Sequence, residues 1–140
     1  MLENKKIRTA LWTGATLSLV AGGVFAGVAM AAAPPGAAKA NAPYAQAAAV
    51  LNADGSVNRS KGIERVTKPA EGQYCIELED KSLDINKLVA NATLQKYSFD
   101  YDVQISNWPH PTCGTRSDTY LVVTGKPGVW ADASFSFTVS

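Results

Sequence analysis

QYCIELE, Gln73 to Glu79, alternates apolar and polar residues: Tyr74, Ile76 and Leu78 share one side of an extended chain, and Cys75, Glu77 and Glu79 share the other. Successive side chains of a β-strand point to opposite faces, so this period of two predicts a strand that covers a core on one side only. SFDYDVQI, Ser98 to Ile105, repeats the pattern, with Phe99, Tyr101, Val103 and Ile105 expected inward and Ser98, Asp100, Asp102 and Gln104 outward. FSFTV closes the chain in the same way, with Phe135, Phe137 and Val139 inward. Further strands are expected at Ala47–Leu51, Ile63–Lys68, Leu88–Gln95 and Tyr120–Thr124, about seven in all. Short antiparallel strands in this number predict an all-β fold, a single small antiparallel β-sandwich.

The punctuation between the strands agrees. Asp54-Gly55 predicts a two-residue type I′ hairpin turn, and KPAEG (Lys68–Gly72) and TGKPG (Thr124–Gly128) predict Pro/Gly loops. In DKSLDINKLVANATL, Asp80 to Leu94, a short helix competes with a strand, because Leu83, Asn86 and Leu88 carry a weak helical period.

The N-terminus has a different character. Lys5, Lys6 and Arg8 precede an apolar stretch from Ala10 to Ala33, the pattern of an export signal. Small residues at −3 and −1 allow cleavage after Ala31 or after Ala40, and the site after Ala40 is favoured; retention as a membrane anchor is the alternative. The expected organisation is a signal peptide and leader over 1–40, a linker over 41–46 and a β-sandwich over 47–140, secreted or held at the cell envelope. The whole chain carries 13 Lys/Arg and 12 Asp/Glu. Residues 1–40 hold four of the bases and one of the acids, so the expected mature charge is 9 − 11 = −2. With no basic stripe left, nucleic acid is excluded as a partner.

Cys75 and Cys113 both fall in the exported part, where an oxidising compartment permits a disulfide, and with two cysteines only one connectivity exists. Because Cys75 alternates away from the core, the bridge is expected on the outer face or tying down a loop.

Candidates for chemistry are few. VLNADGSVNRSK, Val50 to Lys61, imitates a calcium loop through Asn52, Asp54 and Asn58 around Gly55. Aligned with the twelve-residue pattern, however, Val50 stands at the first ligand position and Lys61 at the closing carboxylate, and a cation there repels calcium. No metal or cofactor is expected. His110, the one histidine, lies between prolines in WPHPTC with no nucleophile turn nearby. Asp100 and Asp102 would project from one strand face about 7 Å apart, a spacing compatible with glycoside hydrolysis, but alternating acids on a solvated strand face are the ordinary case and the favoured reading. Trp108 and Trp130 lie in or beside loops. The commoner fate of such residues in a small domain is to plug the ends of the core; exposed, they would stack on sugars or anchor a protein partner.

Three motifs carry a resemblance: Ala53-Asp54-Gly55, Gly72-Gln73-Tyr74-Cys75 and Asp132 to Phe135. Together they resemble a group of small secreted bacterial proteins, frequent in actinobacteria, that pair an ADG hairpin with a later G-x-Y-C strand and end in an alternating strand after D-x-x-F. The resemblance implies an exported β domain without an assigned activity, brings no catalytic residue, and favours a structural bridge at Cys75. The expected function is therefore that of a secreted or envelope-associated, monomeric, non-enzymatic binding or structural module, with a cell-wall or protein partner in the binding case. The alternative is a small cell-wall-directed hydrolase using Asp100, Asp102 and His110.

Overall fold

A computed structural model describes residues 37–95 and 99–140. The expected apolar signal stretch, Ala10 to Ala33, and Ser98 lie outside these residues.

The described residues form ten strands: β1 (Ala38–Lys39), β2 (Ala47–Leu51), β3 (Val57–Lys61), β4 (Ile63–Ala70), β5 (Gln73–Leu78), β6 (Ala90–Leu94), β7 (Asp102–Ser106), β8 (Thr119–Lys126), β9 (Val129–Trp130) and β10 (Phe135–Val139). The three beyond the expected seven are β3, which is the return arm of the first hairpin, and the two-residue β1 and β9. One sheet runs β1-β3-β2-β10-β6 and the other β4-β5-β8-β7, with β9 pairing to β8. Every pairing is antiparallel except β1 with β3. The result is a small sandwich-like fold, with no α-helix among the described residues. The ambiguous stretch before β6 is split: Ile85–Lys87 makes a single 3₁₀ turn capped by Asp84, and Ala90–Leu94 extends.

The core follows from the alternation. Tyr74, Ile76 and Leu78 of β5 face Phe135, Phe137 and Val139 of β10, all fully buried. Two edge-to-face ring pairs bridge the sheets, Tyr74 with Phe135 at 5.0 Å and Tyr120 with Phe137 at 5.3 Å. Within its own sheet Phe137 is flanked by Ala49 and Ala92, and Val139 by Ala47 and Ala90. The small neighbours make room for the ring in a sheet rich in alanine.

The three resemblance motifs meet at one end of the sandwich. The Tyr74 hydroxyl donates to the Ala53 carbonyl at 2.8 Å, the Ala53 amide donates to Ser134 Oγ at 3.1 Å, and the Gly72 amide donates to Asp132 Oδ1 at 2.7 Å. Lys68 adds an ion pair to Asp132 at 2.9 Å. The ADG hairpin, the G-x-Y-C strand and the D-x-x-F strand are thus three sides of one hydrogen-bonded clasp. Asp132→Ala leaves the buried Gly72 amide without its acceptor and is expected to lower stability by about 1–3 kcal/mol, read as an earlier urea midpoint. A midpoint equal to that of the unmodified protein would show that the clasp is ornamental.

Two expectations are corrected. The first hairpin does not use a type I′ turn: only Gly55 in the loop has positive φ, at 86°, while I′ needs two such residues. The Asn52 amide donates to Ser56 O and the Gly55 amide to Asn52 O, so a three-residue loop ends in a left-handed glycine. The Asp54 carboxylate accepts from the Ser56 amide and hydroxyl at 2.9 and 2.6 Å, hydrogen bonds that lower its pKa. Second, Phe99 is not a core residue. It is fully exposed in a turn, and β7 begins only at Asp102. A period of two is equally satisfied by a turn that happens to carry alternating residues, so the pattern overran the strand.

The segment expected to be a linker is held in place. The Lys61 ammonium donates to the carbonyls of Ala42 and Ala45 at 2.8 and 2.7 Å, and the Gln46 amide donates to Val139 O. Ala38–Lys39, placed in the leader by the sequence, pair with Arg59 and Ser60 of β3. Among the described residues no helix is long and apolar enough to cross a membrane.

Candidate functional site

Cys75 and Cys113 are bonded, with Cα atoms 5.5 Å apart and a sequence separation of 38. Cys75 points away from the core, and the bridge pulls the Pro111–Cys113 3₁₀ turn across the outer face of the second sheet. That cover explains why β5 is buried on both faces, Cys75 and Glu77 included.

Beneath the same loop lies a charge network. Glu77 accepts from Arg65, Lys81 and Arg116 at 2.6–2.7 Å, and Asp118 takes a two-pronged contact from Arg116 at 2.9 and 2.8 Å with Lys81 at 3.1 Å. The Arg116 hydrogen bonds hold Asp118 well below the usual carboxylate range against the opposing effect of burial. For Glu77 burial is the largest influence and opposes ionisation, but the bonds from Lys81 and Arg65 outweigh it and lower the pKa. All the charges are engaged with one another, so the cluster fastens the loop and the sheet. Carboxylates lowered in the folded state contribute stability above their unfolded pKa, and that contribution is lost as pH falls through the folded value. The urea midpoint is therefore expected to hold steady at neutral pH and to drop below about pH 4, the unfolded carboxylate range. Asp118→Asn should flatten that acid limb, and an unchanged limb would place the acid sensitivity elsewhere.

A different surface has the features of a binding site. The Phe99–Tyr101 turn, β7 and the β8–β9 hairpin enclose an open groove of about 640 Å3. Trp130 and Val129 are both more than half exposed, and Phe99 is fully so. Phe99, Val129 and Trp130 thus bring three large exposed apolar side chains to one groove, a grouping that marks interaction sites more often than scattered single residues do. The groove also contains Asp100, Asp102, Gln104 and Lys126. The Lys126 ammonium lies 3.0 Å from Asp100 Oδ2 and 4.8 Å from the centre of the Tyr101 ring, and the Asp100 carboxylate raises its pKa. Asp102 accepts from its neighbour's amide at Val103 and from Gln104 Nε2, and has no cationic partner among the described residues.

Gly125 is central to this arrangement. It pairs with Asp102 on one side and with Trp130 on the other. A Cβ there would stand 2.5 Å from Val129 O, so only glycine lets β9 close down beside β8 and hold Trp130 on the rim.

The residues singled out in the sequence are thus partly assembled. Trp130, Asp100 and Asp102 share the groove. Trp108 and His110 do not: they follow Ser106, at the far end of β7 from Asp102. His110 caps the Pro111 turn by accepting from the Thr112 amide at 3.2 Å. Neither tryptophan plugs the core, since Trp108 is 61% and Trp130 54% exposed, which overturns the burial expectation. The aromatic rings that the core does bury are those of Tyr74, Tyr120, Phe135 and Phe137. Phe99, Tyr101 and Lys126 escaped the sequence reading as site residues, the first two because they fit an inward alternation and the third because it sits in a turn motif. The signal that could have found them is the Pro127-Gly128 turn, which returns Trp130 to the strand paired with β7. No protein-family model, curated protein or solved structure matches the chain.

Proposed function

We propose that the protein is a secreted or envelope-associated, non-enzymatic binding module, acting as a monomer, that holds a cell-wall glycan in the groove beside Trp130. The observation that supports this reading is the exposed pair Phe99 and Trp130 flanking a groove furnished with carboxylates. Flat aromatic faces provide stacking area, and convergent polar groups provide orientation, which is the usual composition of a small-ligand site. The disulfide is compatible with an oxidising compartment outside the cytoplasm. The resemblance to small secreted β-domain proteins points the same way. The hydrolase reading is less well supported, because Asp100 is neutralised by Lys126 and His110 lies outside the groove.

Co-sedimentation with insoluble cell-wall polysaccharide tests the proposal. The protein is expected in the pellet, with Trp130→Ala left largely in the supernatant and Trp108→Ala behaving like the unmodified protein. Equal retention of the two tryptophan variants would remove the groove from the function.

A further inference from the structure

Resting on that reading, we infer that the groove selects a glycan with free amino groups, a chain containing de-N-acetylated amino sugars, through Asp102 and the Trp130 face.

The argument begins with charge. Among the described lining residues, Asp100 and Asp102 against Lys126 give 1 − 2 = −1, a balance that disfavours a phosphate- or uronate-bearing chain. The hydrogen-bonding groups point to the same conclusion. The Lys126 ammonium is engaged by Asp100 and the Gln104 amide nitrogen by Asp102, so the strongest acceptor with no cationic partner among the described residues is the Asp102 carboxylate. That acceptor favours a ligand that donates.

The groove also shows how it treats an ammonium. Lys126 is held between a carboxylate, 3.0 Å away, and an aromatic ring, 4.8 Å from its centre. Aromatic faces and carboxylates both attract cations, and together they make a cradle that the chain fills with its own lysine. Asp102 and Trp130 offer the same two chemical elements a second time, and no lysine or arginine of the described residues occupies that pair. They lie on either side of Gly125 in register, about 10 Å apart at two strand spacings. One sugar ring lying on the indole can reach Asp102 with an amino group across that distance. Hydroxyls alone would satisfy Asp102 as acceptor, but only an ammonium also offsets the negative charge of the groove.

Glucosamine oligomers and N-acetylglucosamine oligomers of equal length are the probes, titrated calorimetrically into the whole exported protein at low and high salt. The free-amine oligomer is expected to bind about tenfold tighter, an advantage of about 1.4 kcal/mol, and to lose that margin at high salt. Asp102→Asn should bring the two oligomers to similar affinity, whereas Trp130→Ala should weaken both. Circular dichroism of each variant confirms that the fold is retained. Equal or tighter binding of the acetylated oligomer overturns the amine inference while leaving a glycan function in place. Binding of oligolysine as tight as that of the glucosamine oligomer overturns the sugar half in favour of a cationic peptide. If neither oligomer binds but cell-wall polysaccharide still sediments with the protein, the amine inference falls and the broader reading stands. If nothing binds, both fall.

Discussion

The double variant Cys75→Ser/Cys113→Ser is expected to be less stable than the oxidised protein by about 4 kcal/mol, on the chain-entropy account of a loop of this length. The bridge spans 38 residues, so its loss frees a long loop in the unfolded chain, and it also releases the Pro111–Cys113 turn from the outer face of β5. Small domains have total stabilities of about 5–15 kcal/mol, so a loss of this size leaves a thin margin. At roughly 4–8 °C per kcal/mol for a domain of this size, the thermal midpoint should fall by tens of degrees. Calorimetry of the oxidised protein, the reduced protein and the double variant measures the effect. Coinciding midpoints for all three would mean that the turn is held by Glu77, Asp118 and their cations without help from the bridge. The double variant is preferable to either single one, since a lone cysteine introduces intermolecular exchange.

Two phenylalanines that look alike in sequence should give the second large effect. Phe135→Ala is expected to lower stability by about 3–5 kcal/mol, the cost of emptying a fully buried aromatic site. Its ring packs edge-on against Tyr74 at 5.0 Å, at the foot of the clasp that joins the hairpin, β5 and β10. Phe99→Ala should change stability by less than about 0.5 kcal/mol, as exposed substitutions usually do. Urea unfolding followed by tryptophan fluorescence compares the two. A large loss at Phe99 would return it to the core and take it out of the groove. The groove then supplies a second readout, because Phe99→Ala should cost binding where Phe135→Ala costs folding.

Much of this architecture was legible from periodicity. Alternation placed Tyr74, Ile76, Leu78, Phe135, Phe137 and Val139 inward, and each is fully buried. The outward phase of Cys75 placed the disulfide on the outer face, where it lies. Alternation failed at Phe99, because a period of two records only which residues could share a face and not whether the chain stays extended. It was also silent on the first hairpin's turn type, which depends on how many residues take positive φ.

The motif evidence needed the fold to be understood. Ala53, Gly72, Tyr74, Asp132 and Ser134 are spread over most of the domain in sequence, and nothing in their spacing says that they touch. In the folded chain they form one hydrogen-bonded clasp, so the residues that carried the resemblance are structural. Lys61 shows the same thing in a single residue. In sequence it stood where a calcium loop needs a carboxylate; in the fold its ammonium secures the carbonyls of Ala42 and Ala45.

Sequence by itself determined the all-β class, most strand positions, the core-facing side chains and the cysteine pair, because each depends on local alternation or on a count. Tertiary structure alone decided that Trp130 joins Phe99, Asp102 and Lys126 in a groove while Trp108 and His110 stand apart. The reason is register: Gly125 pairs with both Asp102 and Trp130, and that meeting of residues 23 and five positions away is fixed by strand order across the sheet, which no local pattern records.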